Sequence, residues 1–145
     1  MCKNLGNVLA QFTDVEVSNS QQNYTTMPVD DFVTMTSLGF DEKSTNTVQY
    51  SAITDPASET HRRTLVWKVQ IDCYGSGAAD IANVLSTMWR TPKCCELFRE
   101  IDQSVVPMHG TSPLQTFFID DSNNYSDRYT FTLYAQVAVA TTFTA

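Results

Sequence analysis

The chain is poor in the residues that punctuate, bind or catalyse. Of its 145 residues only five are glycine and five proline, which excludes collagen-like and low-complexity architectures. Basic residues are also few, nine against 16 acidic ones, for a formal net charge of -7. Such a chain gains nothing from the phosphate neutralisation behind non-specific nucleic-acid binding unless its cations cluster. They scarcely do: Arg62 and Arg63 adjoin, whereas Lys68, Arg90, Lys93, Arg99 and Arg128 are scattered. An anionic membrane surface is disfavoured by the same sign argument. No window approaches the ~20 apolar residues of a spanning helix, and Met1-Cys-Lys-Asn-Leu-Gly lacks the apolar stretch of a signal peptide.

The shortage extends to chemistry. The cysteines Cys2, Cys73, Cys94 and Cys95 form no C-x-x-C pair, and two of them are neighbours. Zinc sites and disulfide frameworks need spaced cysteines, so reduced structural thiols are expected. The sequons Asn23-Tyr-Thr and Asn124-Tyr-Ser are read as chance matches, since no secretion signal accompanies them. His61 and His109 fall in separate predicted turns with no partner at ligand spacing. Gly75-Ser-Gly77 lies between a strand and a helix, but Asp80 stands where a dinucleotide fingerprint needs its third glycine. A tight strand-to-helix turn is the better reading. A nucleophile pair such as Cys73 with His109 stays open, because such partners meet only in space; Cys73 nevertheless falls on an apolar strand face, where thiols are buried and inert.

The acidic pairs Asp30–Asp31 and Asp120–Asp121 read as solvated charge in loops or at strand ends. Tyr125, Tyr129, Phe131 and Tyr134 lack the cationic groove that base-stacking surfaces require, so they are assigned to core and interface packing. The expectation is therefore of no catalytic, cofactor-binding or metal-binding residue, no cofactor and no enzymatic activity.

What is present is alternation. Leu65, Trp67, Val69, Ile71 and Cys73 alternate with Val66, Lys68, Gln70 and Asp72, which predicts a strand with one face on a core and the other wet or open to a partner. Tyr129, Phe131, Leu133, Ala135, Val137 and Val139 alternate likewise with Arg128, Thr130, Thr132, Tyr134, Gln136 and Ala138. That predicts a strand about twice the usual ~5–6 residues. Further strands are expected over 31–38, ended by Gly39, over 47–53 with Val48, Tyr50 and Ala52 on one face, and over 114–119. Residues 5–12 and 78–90 show helical spacing, the latter with Ser76 as a cap. Thr91-Pro92 predicts a second central helix to about Ile101.

Polar loops are expected over 18–26 and 120–126, and turns at Asp55-Pro56-Ala57-Ser58 and Pro107-Met-His-Gly110. The length suits one domain, 1–145, with residues 1–27 as a short helix plus polar loop and 28–145 as the core. Strands on either side of a central helical pair predict an α+β fold, a mainly antiparallel sheet with two helices packed on one face.

The order of these pieces resembles the neck or tail-terminator proteins of long-tailed phages. The stretches that carry it are Asn19-Ser-Gln-Gln-Asn-Tyr-Thr-Thr-Met-Pro28 leading into Phe32-Val-Thr-Met-Thr-Ser-Leu, then Ser44-Thr-Asn-Thr-Val-Gln-Tyr50 and Trp67-Lys-Val-Gln-Ile-Asp-Cys-Tyr-Gly75. The helix Ala78-Ala-Asp-Ile-Ala-Asn-Val-Leu, Pro113-Leu-Gln-Thr and the closing strand Asp127-Arg-Tyr-Thr-Phe-Thr-Leu-Tyr-Ala complete it. The resemblance implies a structural virion protein, a homo-oligomeric ring (usually six subunits) at the head-proximal end of the tail. Such a ring stops tube growth, meets the tail tube, sheath or connector proteins, and lets DNA pass without specific binding. A tail-tube or other ring-forming tail subunit is the alternative, and a small cytosolic enzyme or ligand-binding domain a further one. The mildly polar second face of the closing strand suits contact with a neighbour. Arg62, Lys68, Arg128 and Tyr134 are the interface candidates.

Overall fold

The computed structural model describes residues 2–13, 15–19, 31–52, 57–119 and 125–144. The chain runs α1 (Cys2–Leu9), β1 (Glu16–Asn19), β2 (Phe32–Glu42), β3 (Thr47–Ser51), β4 (Ser58–Tyr74), α2 (Ala78–Met88), α3 (Pro92–Ile101), β5 (Val105–Gly110), β6 (Leu114–Ile119) and β7 (Tyr125–Thr144). The fold is α+β, as the pattern of segments predicts. Its sheet is ordered β1-β2-β4-β7-β5, with β3 also pairing with β4 and β6 with β7. All pairs are antiparallel except β1 with β2, so the sheet is mixed.

The two alternating segments become the centre of this sheet. β4 and β7 pair without a register shift from Ser58↔Thr144 to Tyr74↔Arg128. Their odd positions are buried: Leu65, Trp67, Val69, Ile71 and Cys73 from β4, and Phe131, Leu133, Ala135 and Val137 from β7. All of these except Leu65 join Val33 and Met35 of β2 and the apolar sides of all three helices in a single cluster. α2 contributes Ala78, Ala82 and Leu85 and contacts β4 and β7, whereas α3 lies against β5 and α1. The opening helix is part of this cluster through Leu5, Val8 and Leu9.

Several local expectations are corrected. Gly39 does not end β2. It adopts φ +117° at a register shift between Ser37 and Gly39, a bulge after which Phe40 comes opposite Trp67. Residues 107–110 form part of strand β5 instead of a turn. Proline is admissible in a strand at a sheet edge, and Gly110 lets that strand close on β7, where a Cβ would sit 3.1 Å from Leu133 Cδ2. β1 was not anticipated, since four residues carry too short a pattern to be read. β3 stops at Ser51, short of the expected 47–53, and its Val48 and Tyr50, which do share a face, are exposed. Of the loops expected over 18–26 and 120–126, residues 18–19 belong to β1 and 125–126 to β7, while the remainder, with Asp55-Pro56, Asp30 and both sequon asparagines, lies outside the described residues.

Helix ends are secured from a distance. Ser76 makes no cap; the first residue before α2 is Gly77, whose N–H donates to Asp31 Oδ2 at 3.3 Å. Thr91 does precede α3, with Pro92 at its first position, but its hydroxyl donates back to the Met88 carbonyl at 2.7 Å and so ties the two helices together. At the other end of α3, Asp102 accepts bonds from Ser104 N–H and Oγ and from Asn4 Nδ2, joining α1 to the start of β5. The Ser104 hydroxyl above all holds the Asp102 carboxyl below its ordinary value.

Two outcomes follow from this geometry. Gly75 has φ +110° and an added Cβ would meet Asp31 Oδ1 at 1.9 Å, whereas Gly39 has similar φ but open space. Both alanine variants carry backbone strain of about 1–3 kcal/mol, so Gly75→Ala is expected to lose clearly more stability than Gly39→Ala in urea melts. Asp102 has a depressed folded pKa, so its charge stabilises above the unfolded-state value and that contribution is lost as pH falls through the folded one. The stability gap between wild type and Asp102→Asn should be full near neutral pH and close under acid conditions, which denaturant midpoints across pH will measure.

Candidate interaction surface

The even positions of β4 and β7 make the opposite face of the sheet, away from the helices. Arg62, Lys68, Arg128 and Tyr134 all belong to it, because the register pairs even residues with even residues. Lys68 and Tyr134 are direct cross-strand partners. Arg128 lies towards one end of the strand pair and Arg62 towards the other. The four therefore share a face without forming a compact site.

Each is engaged within the chain. Lys68 Nζ lies 3.2 Å from Asp41 Oδ2, an exposed pair of small energetic value. Tyr134 stacks on His109 with ring centroids 4.5 Å apart. The Arg62 carbonyl accepts a bond from Thr47 Oγ1, which holds β3 against β4.

Arg128 is the most constrained. Its Nε and Nη2 donate to Asp72 Oδ1 at 3.2 and 3.1 Å, and the same oxygen accepts from Thr130 Oγ1 at 2.6 Å. Gln70 Nε2 donates to the other carboxylate oxygen at 3.0 Å. Asp72 is 3% exposed, so its charge depends on these donors. The guanidinium also lies 5.6 Å from the Tyr74 ring centroid, and Tyr74 stacks on Phe32 at 4.6 Å. Sequence reasoning treated Asp72 as an ordinary wet-face residue. Its role arises only when register places Thr130 opposite it and Arg128 two pairs beyond, on the same face.

The open nucleophile question is answered by the sheet itself. Cys73 points into the core from an odd position, while His109 stacks on Tyr134 on the other face, so they do not meet. Burial pushes the Cys73 thiol up to about 12, helped by the neighbouring Asp72 charge, and burial does the same to Cys94. Both thiols stay protonated at neutral pH and are poor nucleophiles. Among the described residues no group of His, Cys, Asp and Glu is arranged to hold a metal ion. A cleft of about 350 Å³ opens where α2 meets α3, bordered by Trp89, Arg90, Cys95, Arg99 and Met108. Arg90 is already committed there, donating to the Gly110 carbonyl.

The other end of the β4–β7 pair has a different character. Beyond Leu65 and Val137 the two strands continue with β3 as a three-stranded arm of residues 47–51, 58–64 and 138–144. The odd-position face, buried in the body of the sheet, is uncovered here. Val48 is 44% exposed, Tyr50 72%, Val139 39% and Phe143 55%. The Phe143 ring meets His61 edge-on at 5.7 Å, and His61 bonds Glu59. A shallow cleft of about 270 Å³ between Arg63, His61, Val139 and Phe143 marks this face. Uncovered apolar side chains continuing a core face are the usual mark of a contact surface.

Removing the guanidinium separates structural from contact roles. Arg128→Ala leaves Asp72 with a buried, partly unpaired charge and is expected to cost about 1–3 kcal/mol in a denaturant melt. Arg62→Ala should leave the same melt nearly unchanged.

No helix among the described residues is long and apolar enough to cross a membrane. No curated protein matches the chain at a significant level. The profile of the phage neck terminator proteins, however, matches residues 3–145, so the chain belongs to that family and has a structural role in the phage tail.

Proposed function

We propose that the chain assembles head to tail into a closed ring, of six copies, at the head-proximal end of the tail. There the ring ends growth of the tail tube and joins the tail to the head connector, and DNA passes through its centre. Family membership implies a place in the virion and contacts with other tail or head proteins.

The observation that supports a ring is the arm. β4 and β7 stay paired to Ser58↔Thr144, yet the buried positions of the two strands end with Leu65 and Val137. A lone subunit would leave Val48, Tyr50, Val139 and Phe143 in water; neighbours remove them from it. Heterologous contacts that close generate a ring. The net charge of -7 fits a channel that DNA crosses without adhering. The uncovered even face, with Lys68 and Tyr134 side by side, offers a second surface for neighbouring tail or head proteins.

Negative-stain microscopy and native mass spectrometry of the purified protein test the proposal. Single rings with an open centre, and one discrete mass of six subunits, are the expected result. Stacked rings growing into tubes would replace it with a tube-subunit role. A discrete ring of another size would correct only the copy number.

A further inference from the structure

The arm carries two free strand edges whose positions are fixed by register. Ala138 N–H donates outward from β7 to the Ser104 carbonyl, and the Thr132 carbonyl likewise accepts from Thr111 on the same side. Main-chain groups alternate in direction along a strand. Ala140 and Thr142 therefore also point away from β4, and β5 pairs with β7 only as far as Val137. Among the described residues no strand lies on that edge.

β3 gives the mirror case. Thr64 of β4 bonds towards the β2–β3 side, accepting from Lys43 N–H, so the even residues of β4 face β3. Their partners Thr47, Gln49 and Ser51 then face β4, which leaves the main-chain groups of Val48 and Tyr50 pointing outward. Among the described residues the arm thus ends in an open edge on each side, and both edges display apolar side chains on the same face: Val48 and Tyr50 on one, Val139 and Phe143 on the other.

Resting on the ring reading above, we propose that the β7 edge at 139–144 of one copy pairs with the β3 edge at 47–51 of the next, so that the arms form one continuous sheet around the ring. β3 and β7 are both antiparallel to β4, hence parallel to each other within a copy. Copies related by rotation about a ring axis keep that sense, and the new pairing is parallel. A second copy is the fitting occupant on grounds of charge. Neither edge strand of the arm bears a charged residue. Within the arm Arg62 and Arg63 against Glu59 leave +1, so the rest of the chain carries -8. Two copies therefore meet where each is least acidic. Each edge is short, about 17 Å for five residues, and its hydrogen bonds are individually weak. Closure, which holds every copy on both sides, makes up the difference.

The test uses edge-blocking prolines. Ala140→Pro and Val48→Pro each delete one outward N–H and leave the bonds to β4 intact, the position where edge strands tolerate proline. Each variant alone should lose the ring in native mass spectrometry. An equimolar mixture restores one intact edge of each kind without closure, so it should form no ring and give a 1:1 heterodimer only at high protein concentration. Hydrogen exchange on the wild type gives an independent readout, with the Val48, Tyr50, Ala140 and Thr142 amides about tenfold or more slower in the assembled fraction than in monomer. Rings that survive both prolines with these amides unprotected would overturn the edge pairing while leaving the ring itself standing. Dimers of Val48→Pro alone would indicate a β7–β7 contact and also overturn it. A wild type that never assembles at any concentration sinks both.

Discussion

The structure depends on one constraint, the unshifted antiparallel pairing of β4 with β7 over seventeen residues of each strand. Side chains alternate with period two, so this pairing decides at once what is core and what is surface. A slip of one residue would bring Lys68, Gln70 and Asp72 to the helical side and push Trp67 and Ile71 into water. Polar groups lock the register from outside the core. Asp72 takes donors from its own strand, through Gln70, and from β7, through Thr130 and Arg128. Trp89 of the helical layer donates from its indole to the Tyr134 carbonyl at 3.1 Å, tying that layer to β7. Trp67 donates to Ser37 Oγ at 2.9 Å and so fixes β2 where its bulge begins.

From that ladder the functional surfaces follow. One face of the sheet is occupied by helices along its body and uncovered along the arm. The other face presents Thr, Gln, Lys and Tyr side chains, a mildly polar surface. The two short strands β3 and β6 pair on opposite sides of the ladder and at opposite ends. The arm is therefore a three-stranded sheet in which the short strand β3 forms one edge and β7 the other. In the proposed ring that asymmetry gives each copy a donor side and an acceptor side, which head-to-tail closure requires.

Membership of the neck terminator family and the scarcity of chemistry in the chain agree with each other. The buried thiols of Cys73 and Cys94 are held protonated, and the one buried carboxylate, Asp72 among the described residues, is used for register. Arg128, a candidate for contact on its residue type, is drawn into the same task. Lys68 holds only the exposed pair with Asp41, and Arg62 lies on the exposed arm.

The sequence by itself determined the alternating segments 65–73 and 128–139 of the two long strands, though not their extensions over 58–64 and 140–144, together with the start and end of α3 at Thr91 and Ile101, the strand Leu114–Ile119 and the α+β class, because period-two and period-3.6 patterns are local properties of the chain. Parity within each predicted strand put Lys68 on the polar side of β4 and Arg128 and Tyr134 on that of β7, but that these three and Arg62 share one face was decided by the register of β4 with β7. Tertiary structure alone decided the rest. The bulge at Gly39, strand β5 with Pro107 and Gly110, and the cap of α2 by Asp31 all depend on a neighbour distant in sequence. The burial of Asp72 and the exposure of Val48, Tyr50 and Phe143 have the same origin. Whether an alternating strand is covered is set by where the helices stop, and no residue in that strand encodes it.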